Sequence, residues 1–335
     1  MSLASNKYLL IAIFVAVLLS VTGFLTFPRK IERTVIKIEK GETAIDVAKK
    51  LSDAKLIKYP ITFKIVAALT KSDKKLKPGK YIFDDECNVF IALDKITSGD
   101  YELRRVTIPE GLSLDKTLNI ISNMLVIPRA VLDSLAVNSQ FCERLTGLKI
   151  PNLEGFLYPE TYLFEDDTKA DEALETMVKL ALKKFKEAEV GRLEQLSYYQ
   201  TIILASIVEA EAKNRDEMPL IADVYLKRLK LKMKLGASPT IQYLLEKKGV
   251  HRDFLYYKDT EIDSPYNTYL YLGLPPTPIC SPSLYAVNAV LNPAKTDYLY
   301  FFADGKGGHI FTTSYQEHLD QRKHLRREKA SKRQS

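Results

Sequence analysis

The stretch that decides the fold reads Thr-Ile-Ile-Leu-Ala-Ser-Ile-Val over residues 201–208 and continues into Glu209 and Glu211. Eight consecutive uncharged residues, apolar on every side of a helix, are typical of a helix buried on all sides. Ser197 is a residue type that favours the N-cap position, so the sequence predicts a helix from there to about residue 212. The protein must therefore build a core around this helix.

Two carboxylates close the buried run. Glu209 and Glu211 stand about 200° apart on a helix, so they cannot form a paired dyad. A carboxyl at the end of such a run loses hydration, which raises its pKa toward the range that a general acid needs near neutral pH. Spacing alone does not choose between the two, and pairing with Lys213 or Arg215 at the surface is the alternative.

A second feature is the loop over residues 264–279. Tyr266, Asn267, Thr268 and Tyr269 are followed by a proline-rich segment at 273–279. Sugar rings stack on tyrosine, and sugar hydroxyls bond to amide and hydroxyl groups, so this composition favours a carbohydrate site. The alternative is a structural loop whose tyrosines pack on the domain.

Toward the N-terminus, residues 8–27 carry no charge. Twenty apolar residues match the hydrocarbon core of a bilayer, about 30 Å thick, so the sequence predicts a retained membrane helix rather than a cleaved signal peptide. A short cytoplasmic head, residues 1–7, with about 300 residues outside is the preferred topology, because long domains translocate largely regardless of charge.

One short unit occurs twice. A strand, a glycine turn at Gly41 and a helix cap at Thr43 recur as a strand, a turn at Gly111 and a cap at Ser113. Helices are also predicted near 60–69, 89–97, 173–188, 219–233 and 284–291 and from residue 314, with further strands at 81–83, 298–303 and 309–312. The predicted fold class is α+β, with residues 33–105 as a small module.

Charge excludes one class of function. The 335 residues carry a net charge of +7, but residues 321–335 hold seven basic residues and one acid, Glu328, which leaves +1 for the first 320 residues. A nearly neutral body does not offer the basic groove of a nucleic-acid binder. Three cysteines and four histidines lack metal-ligand spacing, so we predict buried thiols, no metal and no cofactor.

Several separated segments together resemble one family. They lie at residues 153–162 (LEGFLYPETY), 205–209 (ASIVE), 238–243 (SPTIQY), 266–269 (YNTY), 273–276 (GLPP), 292–296 (NPAKT) and 298–311. In order and spacing they resemble the MltG-type (YceG-like) endolytic murein transglycosylases. Departures are Ser238, where family members often have Asp, and Ala210-Glu211-Ala212, where the motif often continues as Lys-Glu-Thr.

The resemblance implies a single-pass protein of the bacterial cytoplasmic membrane with its catalytic part outside the cytoplasm. The implied organisation is a head at 1–7, a transmembrane helix at 8–27, a LysM-like module at 33–105, a YceG-like catalytic domain at 106–325 and a basic tail at 326–335. The implied partners are the glycan strands of peptidoglycan and, further, the synthases of the penicillin-binding class.

The resemblance also assigns roles. It makes Glu209 the catalytic acid, which the helix spacing could not decide. Implied substrate-binding residues are Thr240, Tyr266, Asn267, Thr268, Tyr269, Pro275, Pro276 and His309. Glu154, Glu160 and Glu211 are candidates for a supporting role.

The implied reaction cleaves the bond between N-acetylmuramic acid and N-acetylglucosamine. An internal hydroxyl of the muramic acid attacks, so a 1,6-anhydro end forms and a single carboxyl suffices, whereas ordinary glycosidases use two. The rivals are a non-catalytic wall-binding scaffold and a muramidase that uses water.

Overall fold

A computed structural model describes residues 27–334 except residues 102, 251 and 253, with side chains described to residue 328. The chain divides into two compact units, Met1–Arg104 with Leu163–Asp167, and Arg105–Tyr162 with Thr168–Ser335. The predicted membrane helix lies outside the described residues except for Phe27. Between residues 27 and 334, where the fold is described, no helix combines the length and apolar character needed to cross a membrane.

The first unit is a small α+β module. Its elements are β1 (Arg29–Lys30), β2 (Thr34–Ile38), α1 (Ala44–Asp53), α2 (Pro60–Leu69), β3 (Gly79–Phe83), β4 (Glu86–Cys87) and α3 (Val89–Ser98). Strand β2 pairs antiparallel with β3, and β1 pairs with β4. Thr43 begins α1 as predicted, because its side chain forms a capping box with Asp46.

Alternation along β2 builds the core of this unit. Ile36 and Ile38 are buried, whereas Lys37 between them is exposed. The two isoleucines join Leu51 and Phe63 in one hydrophobic cluster. A half-buried strand with a polar outer face therefore packs on the helices that follow it.

The rest of the chain is mainly helical. Its elements are β5 (Leu103–Thr107), α4 (Leu114–Leu125), α5 (Arg129–Ala136), α6 (Ser139–Thr146), β6 (Thr161–Glu165), α7 (Ala170–Glu187), α8 (Tyr198–Glu211), α9 (Met218–Lys230), α10 (Ser238–Lys247), α11 (Leu284–Leu291), β7 (Tyr300–Ala303), β8 (His309–Thr312) and α12 (Tyr315–Gln334). Strand β5 pairs with β6, and β7 pairs antiparallel with β8. The architecture is mixed α+β, as predicted.

Helix α8 is the centre of the second unit. All eight residues at 201–208 are buried, and the helix packs against α9, α10 and α11. Ser197 caps it and forms a capping box with Gln200. The prediction of a helix buried on every side is confirmed.

Some features differ from the sequence expectations. Helices α5, α6 and α10 were not predicted; the first two are only eight residues long, and α10 begins with Ser238 and Pro239. Ser113 precedes α4 as predicted, but its hydroxyl does not cap the helix. The carboxyl of Glu154 takes that place and accepts a hydrogen bond from the Leu114 amide at 2.7 Å.

Candidate functional site

Helix α8 presents one polar face to the loop at residues 277–283. The Ser206 hydroxyl accepts a hydrogen bond from the Ile279 amide at 3.0 Å, and the Cys280 thiol donates to the Ser206 carbonyl at 3.3 Å. Glu209 lies about one turn further along the same face. The loop is therefore fixed along the helix face that carries Glu209.

Ser283 holds the carboxylate of Glu209. Its amide donates to Glu209 Oε2 at 2.9 Å, and its hydroxyl donates to the same oxygen at 2.5 Å. Ser283 is also the N-cap of α11, where its hydroxyl oxygen accepts from the Ala286 amide. One residue thus begins a helix and orients the candidate acid.

The surroundings of Glu209 favour its protonated form. Burial raises the pKa of Glu209 above its usual range, and the two hydrogen bonds from Ser283 oppose that rise. The nearby Glu110 carboxylate raises the same pKa, whereas the Arg215 guanidinium lowers it. A carboxyl that keeps its proton at higher pH is what general acid catalysis near neutral pH requires.

The second copy of the strand-turn-helix unit reaches this site. Gly111 has φ +73°, and a Cβ at this position would lie 3.6 Å from Glu209 Cγ. The turn is held by backbone hydrogen bonds between Gly111 and Ser281 at 3.2 Å and between Ser281 and Leu112 at 2.9 Å. A methyl group at residue 111 would be in van der Waals contact with the side chain of Glu209.

An ion pair stands next to the same turn. Arg215 Nη2 bonds to Glu110 Oε2 at 2.7 Å, and the Arg215 guanidinium lies 4.0 Å from the centre of the Tyr285 ring. Arg215, Glu110 and Tyr285 are each at least partly exposed. They give the site a polar and aromatic rim.

Glu211 has different partners from Glu209. The Tyr225 hydroxyl donates to Glu211 Oε2 at 3.2 Å, and burial raises the pKa of Glu211. The two glutamates are held by separate residues, as their spacing on the helix predicts. Arg215 pairs with Glu110 instead of either of them.

His309 is bound by Glu217, a residue that the sequence analysis did not single out. The His309 amide donates to Glu217 Oε1 at 2.9 Å, and His309 Nδ1 lies 2.7 Å from Oε2. A Cβ at the neighbouring Gly308 would lie 2.9 Å from Glu217 Oε1, so a side chain there would require the Glu217 carboxylate to move. A substrate contact by His309 stays a prediction.

Three of the predicted substrate-binding side chains lie inside the protein. The Asn267 amide group donates to the carbonyls of Thr260 and Ile262 at 2.9 and 2.7 Å. The Thr268 hydroxyl accepts from the Ala237 amide at 2.9 Å and lies 3.1 Å from the Thr240 hydroxyl. These groups stabilise the loop, and their contact with a substrate stays a prediction.

The two tyrosines of the loop are more accessible. The Tyr266 hydroxyl bonds to Thr277 at 2.7 Å, and the Tyr269 hydroxyl bonds to Ser238 at 2.9 Å. Both tyrosines are half-buried. Pro275 is buried and Pro276 is exposed. Stacking of sugars on this loop also stays a prediction.

The other two glutamates lie in different environments. Glu154 is buried, and burial raises its pKa to about 7. Glu160 is exposed and accepts from the Thr161 amide at 3.0 Å. In the part of the chain that the structure describes, no group of three or more His, Cys, Asp or Glu residues is arranged to hold a metal ion.

Sequence reasoning missed Ser283 and the closeness of Gly111 to Glu209, and it named Arg215 only as a candidate partner of the two glutamates, whereas its partner is Glu110. A serine directly before a predicted helix was a usable sign for Ser283 as an N-cap. Its second role had no sign, because Ser283 and Glu209 are 74 residues apart.

Replacing Ser283 by Ala is expected to move the alkaline limb of the pH–rate profile to higher pH. The hydrogen bond from the Ser283 hydroxyl stabilises the ionised carboxylate and lowers the pKa of Glu209. Its loss raises that pKa, so the acid keeps its proton to higher pH. The measurement is the pH dependence of kcat/KM.

Ser197→Ala is the matched control, because it removes the N-cap hydroxyl of α8 without touching Glu209. Its pH–rate profile should match that of the unchanged protein. A downward shift of the alkaline limb in Ser283→Ala would contradict the assignment of Glu209 as the proton donor.

Comparisons with known proteins found a family and several proteins to which this chain is similar. The model of the YceG-like family matches residues 36–324. A protein of Bacillus subtilis (strain 168) named endolytic murein transglycosylase is 32% identical over 302 residues, which cover 84% of this chain and 82% of the relative. A protein of the same name from Streptococcus pneumoniae serotype 2 (strain D39 / NCTC 7466) is 28% identical, and the match covers 85% of this chain and 57% of the relative.

A solved structure is similar as well. The crystal structure of a yceG-like protein from Listeria monocytogenes superposes with a TM-score of 0.60 at 30% identity, covering 86% of this chain and 98% of the other. The family model spans both α8 and the hairpin of β7 and β8. On this agreement of sequence and fold, the chain belongs to the YceG-like family.

Proposed function

We propose that this protein is an endolytic murein transglycosylase that cuts glycan strands of nascent peptidoglycan and so limits strand length. The observation that carries the proposal is the carboxyl of Glu209, whose pKa burial raises and whose orientation Ser283 fixes. The family membership and the name of the Bacillus subtilis relative support the substrate class.

In the proposed reaction, Glu209 acts first as an acid and then as a base. Its proton goes to the glycosidic oxygen between N-acetylmuramic acid and N-acetylglucosamine as the bond to C1 breaks. The resulting carboxylate then takes the proton of the muramic acid C6 hydroxyl, whose oxygen bonds to C1. Glu209 ends protonated and no water is consumed.

A muramidase that uses water is the second candidate, because Glu110 lies near Glu209. A hydrolase of this kind needs a second carboxylate as base or nucleophile. Glu110 is ion-paired with Arg215, whose positive charge opposes that role. The ion pair therefore favours the reaction that needs one carboxyl.

The uncharged stretch at residues 8–27 supports a location at the membrane. We propose that this segment anchors the protein in the bacterial cytoplasmic membrane, with the enzyme outside the cytoplasm. The strand-turn-helix organisation of residues 33–105 supports a LysM-like module for glycan binding, and the synthases that make the strands are the proposed partners.

The chemical ends of the products test the proposal. Purified glycan strands are incubated with the full chain, and the fragments are analysed by mass spectrometry. The expected fragments carry 1,6-anhydro ends, and each lacks the one water that a reducing end would contain. Reducing ends would favour the muramidase, and binding without fragments would favour a non-catalytic scaffold.

A further inference from the structure

A cavity of about 570 Å³ opens in the second unit, and Tyr243 in its lining packs on Tyr266 of the tyrosine loop, with ring centres 5.3 Å apart. It lies between the first turns of α4, the helix α5 and the end of α10, and Glu154 forms part of its lining. We call it the Glu154 cavity. Its volume is in the usual range of sites that bind small molecules.

The cavity lining includes a buried carboxyl. Glu154 is only 2% exposed, and its two oxygens accept from the Leu114 amide at 2.7 Å and the Tyr243 hydroxyl at 3.0 Å. The Asn152 side chain accepts from the Glu154 amide at 3.0 Å. A buried carboxyl in a concave site disfavours folding when it is ionised, and such groups are concentrated at functional sites.

The charges of the walls nearly cancel. Lys116 pairs with Glu246 at 2.6 Å, and Arg129 pairs with Asp115 at 2.6 Å and Asp133 at 2.9 Å. Groups in such ion pairs can still form hydrogen bonds with a ligand, but together they exert little net electrostatic attraction on a charged one. This wall suits an uncharged ligand with many hydroxyl groups better than an ionic one.

Apolar and neutral polar groups complete the lining. Leu118, Ala136 and Val137 offer apolar surface, and Ser113 and Asn152 offer a hydroxyl and an amide. The Ser113 hydroxyl is not used as a helix cap. An acetamido group needs both kinds of contact, since it has a methyl and an amide, and the rest of an amino sugar needs hydroxyl partners.

One short segment, residues 111–114, runs from the candidate acid to the cavity. Gly111 approaches Glu209, and Leu114 bonds to Glu154. Three residues span at most about 10 Å. A chain of several sugars is long enough to reach both points.

We propose that the Glu154 cavity binds an N-acetylated amino sugar of the glycan strand, at a position removed from the bond that is cut. The proposal rests on the proposed function for its substrate class. In this proposal the cavity contributes affinity for the strand and lies apart from Glu209. Loss of binding in the cavity should therefore raise KM more than it lowers kcat.

A binding experiment on the full chain tests this. The probe is an uncharged trimer of β-1,4-linked N-acetylglucosamine, titrated calorimetrically into Glu209→Gln protein so that no turnover interferes. Adding Val137→Trp, at a position 60% exposed on the cavity rim, should weaken binding at least about tenfold, the loss of roughly one good contact. Adding Val131→Trp, 46% exposed on α5 but not in the cavity lining, should leave the Kd unchanged.

A second measurement does not depend on a substitution. The methyl NMR signals of Ala136 and Val137 should shift when the trimer is added. Unshifted signals, or equal Kd values in the two tryptophan variants, would overturn the proposal, as would binding of a charged stem peptide in place of the sugar. Because binding is measured without turnover, its failure is separate from a failure of the transglycosylase assay, which is read from product ends.

Discussion

Replacing Glu209 by Gln is expected to lower kcat/KM for glycan cleavage by roughly 10²- to 10⁴-fold, the usual contribution of a general acid. Glutamine has almost the same shape, and its carbonyl oxygen can still accept from the Ser283 amide and hydroxyl. It has no acidic proton to give to the glycosidic oxygen. The measurement is the rate of fragment release from purified strands, with thermal unfolding as a check on folding.

Glu211→Gln is the matched control. It makes the same change two residues further along α8, where the carboxylate bonds to Tyr225 instead of Ser283. Its activity should fall far less than that of Glu209→Gln, because Glu211 donates no proton in the proposed reaction. If Glu209→Gln kept its activity, or if only Glu211→Gln lost it, the proton donor would have to be sought elsewhere.

Replacing Gly155 by Ala is expected to lower the free energy of unfolding by roughly 2–5 kcal/mol, from strain in the left-handed region and from overpacking. Gly155 has φ +84°, and a Cβ there would lie 2.6 Å from Cγ of Pro278 and 3.3 Å from Ile202. Pro278 is rigid and belongs to the buried loop beside α8. The measurement is chemical denaturation of the full chain.

Gly147→Ala separates the two contributions. Gly147 also has a positive φ, +70°, but nothing lies within 4 Å of a Cβ built there. In this variant the free energy of unfolding should fall only by the strain of the left-handed backbone, about 1–2 kcal/mol. If the free energy of unfolding fell equally in the two variants, the loop at Pro278 would accommodate the added methyl group without loss of stability.

Local patterns were enough to predict most of the fold. The buried helix α8 follows from eight uncharged residues and a serine cap, and α11 was predicted with the bounds that the structure has. The hairpin of β7 and β8 follows from a glycine-rich turn between two aromatic runs. Helices α5 and α6 are as short as α11 but lack its nearly continuous apolar run, and two turns are too few for a hydrophobic period to stand out.

The candidate site could be predicted only in part. The apolar run of α8 points to a carboxyl with a raised pKa, but the choice of Glu209 over Glu211 came from the family resemblance, and the run gives no sign that Ser283 contacts Glu209. That contact joins segments 74 residues apart, and no local pattern reports it. The arrangement of Gly111 beside Glu209 is hidden for the same reason, although the turn itself was evident.

The buried cysteines of the protein have a practical consequence for labelling. Cys87, Cys142 and Cys280 are all buried and unpaired, and burial raises the pKa of Cys87 and Cys142 to about 11. Thiols of this kind react slowly with alkylating dyes at neutral pH, since the thiolate is the reactive form. A single cysteine introduced at the exposed Tyr285, beside the site, would therefore take up a fluorophore selectively and report glycan binding by its emission, with the native thiols left in place.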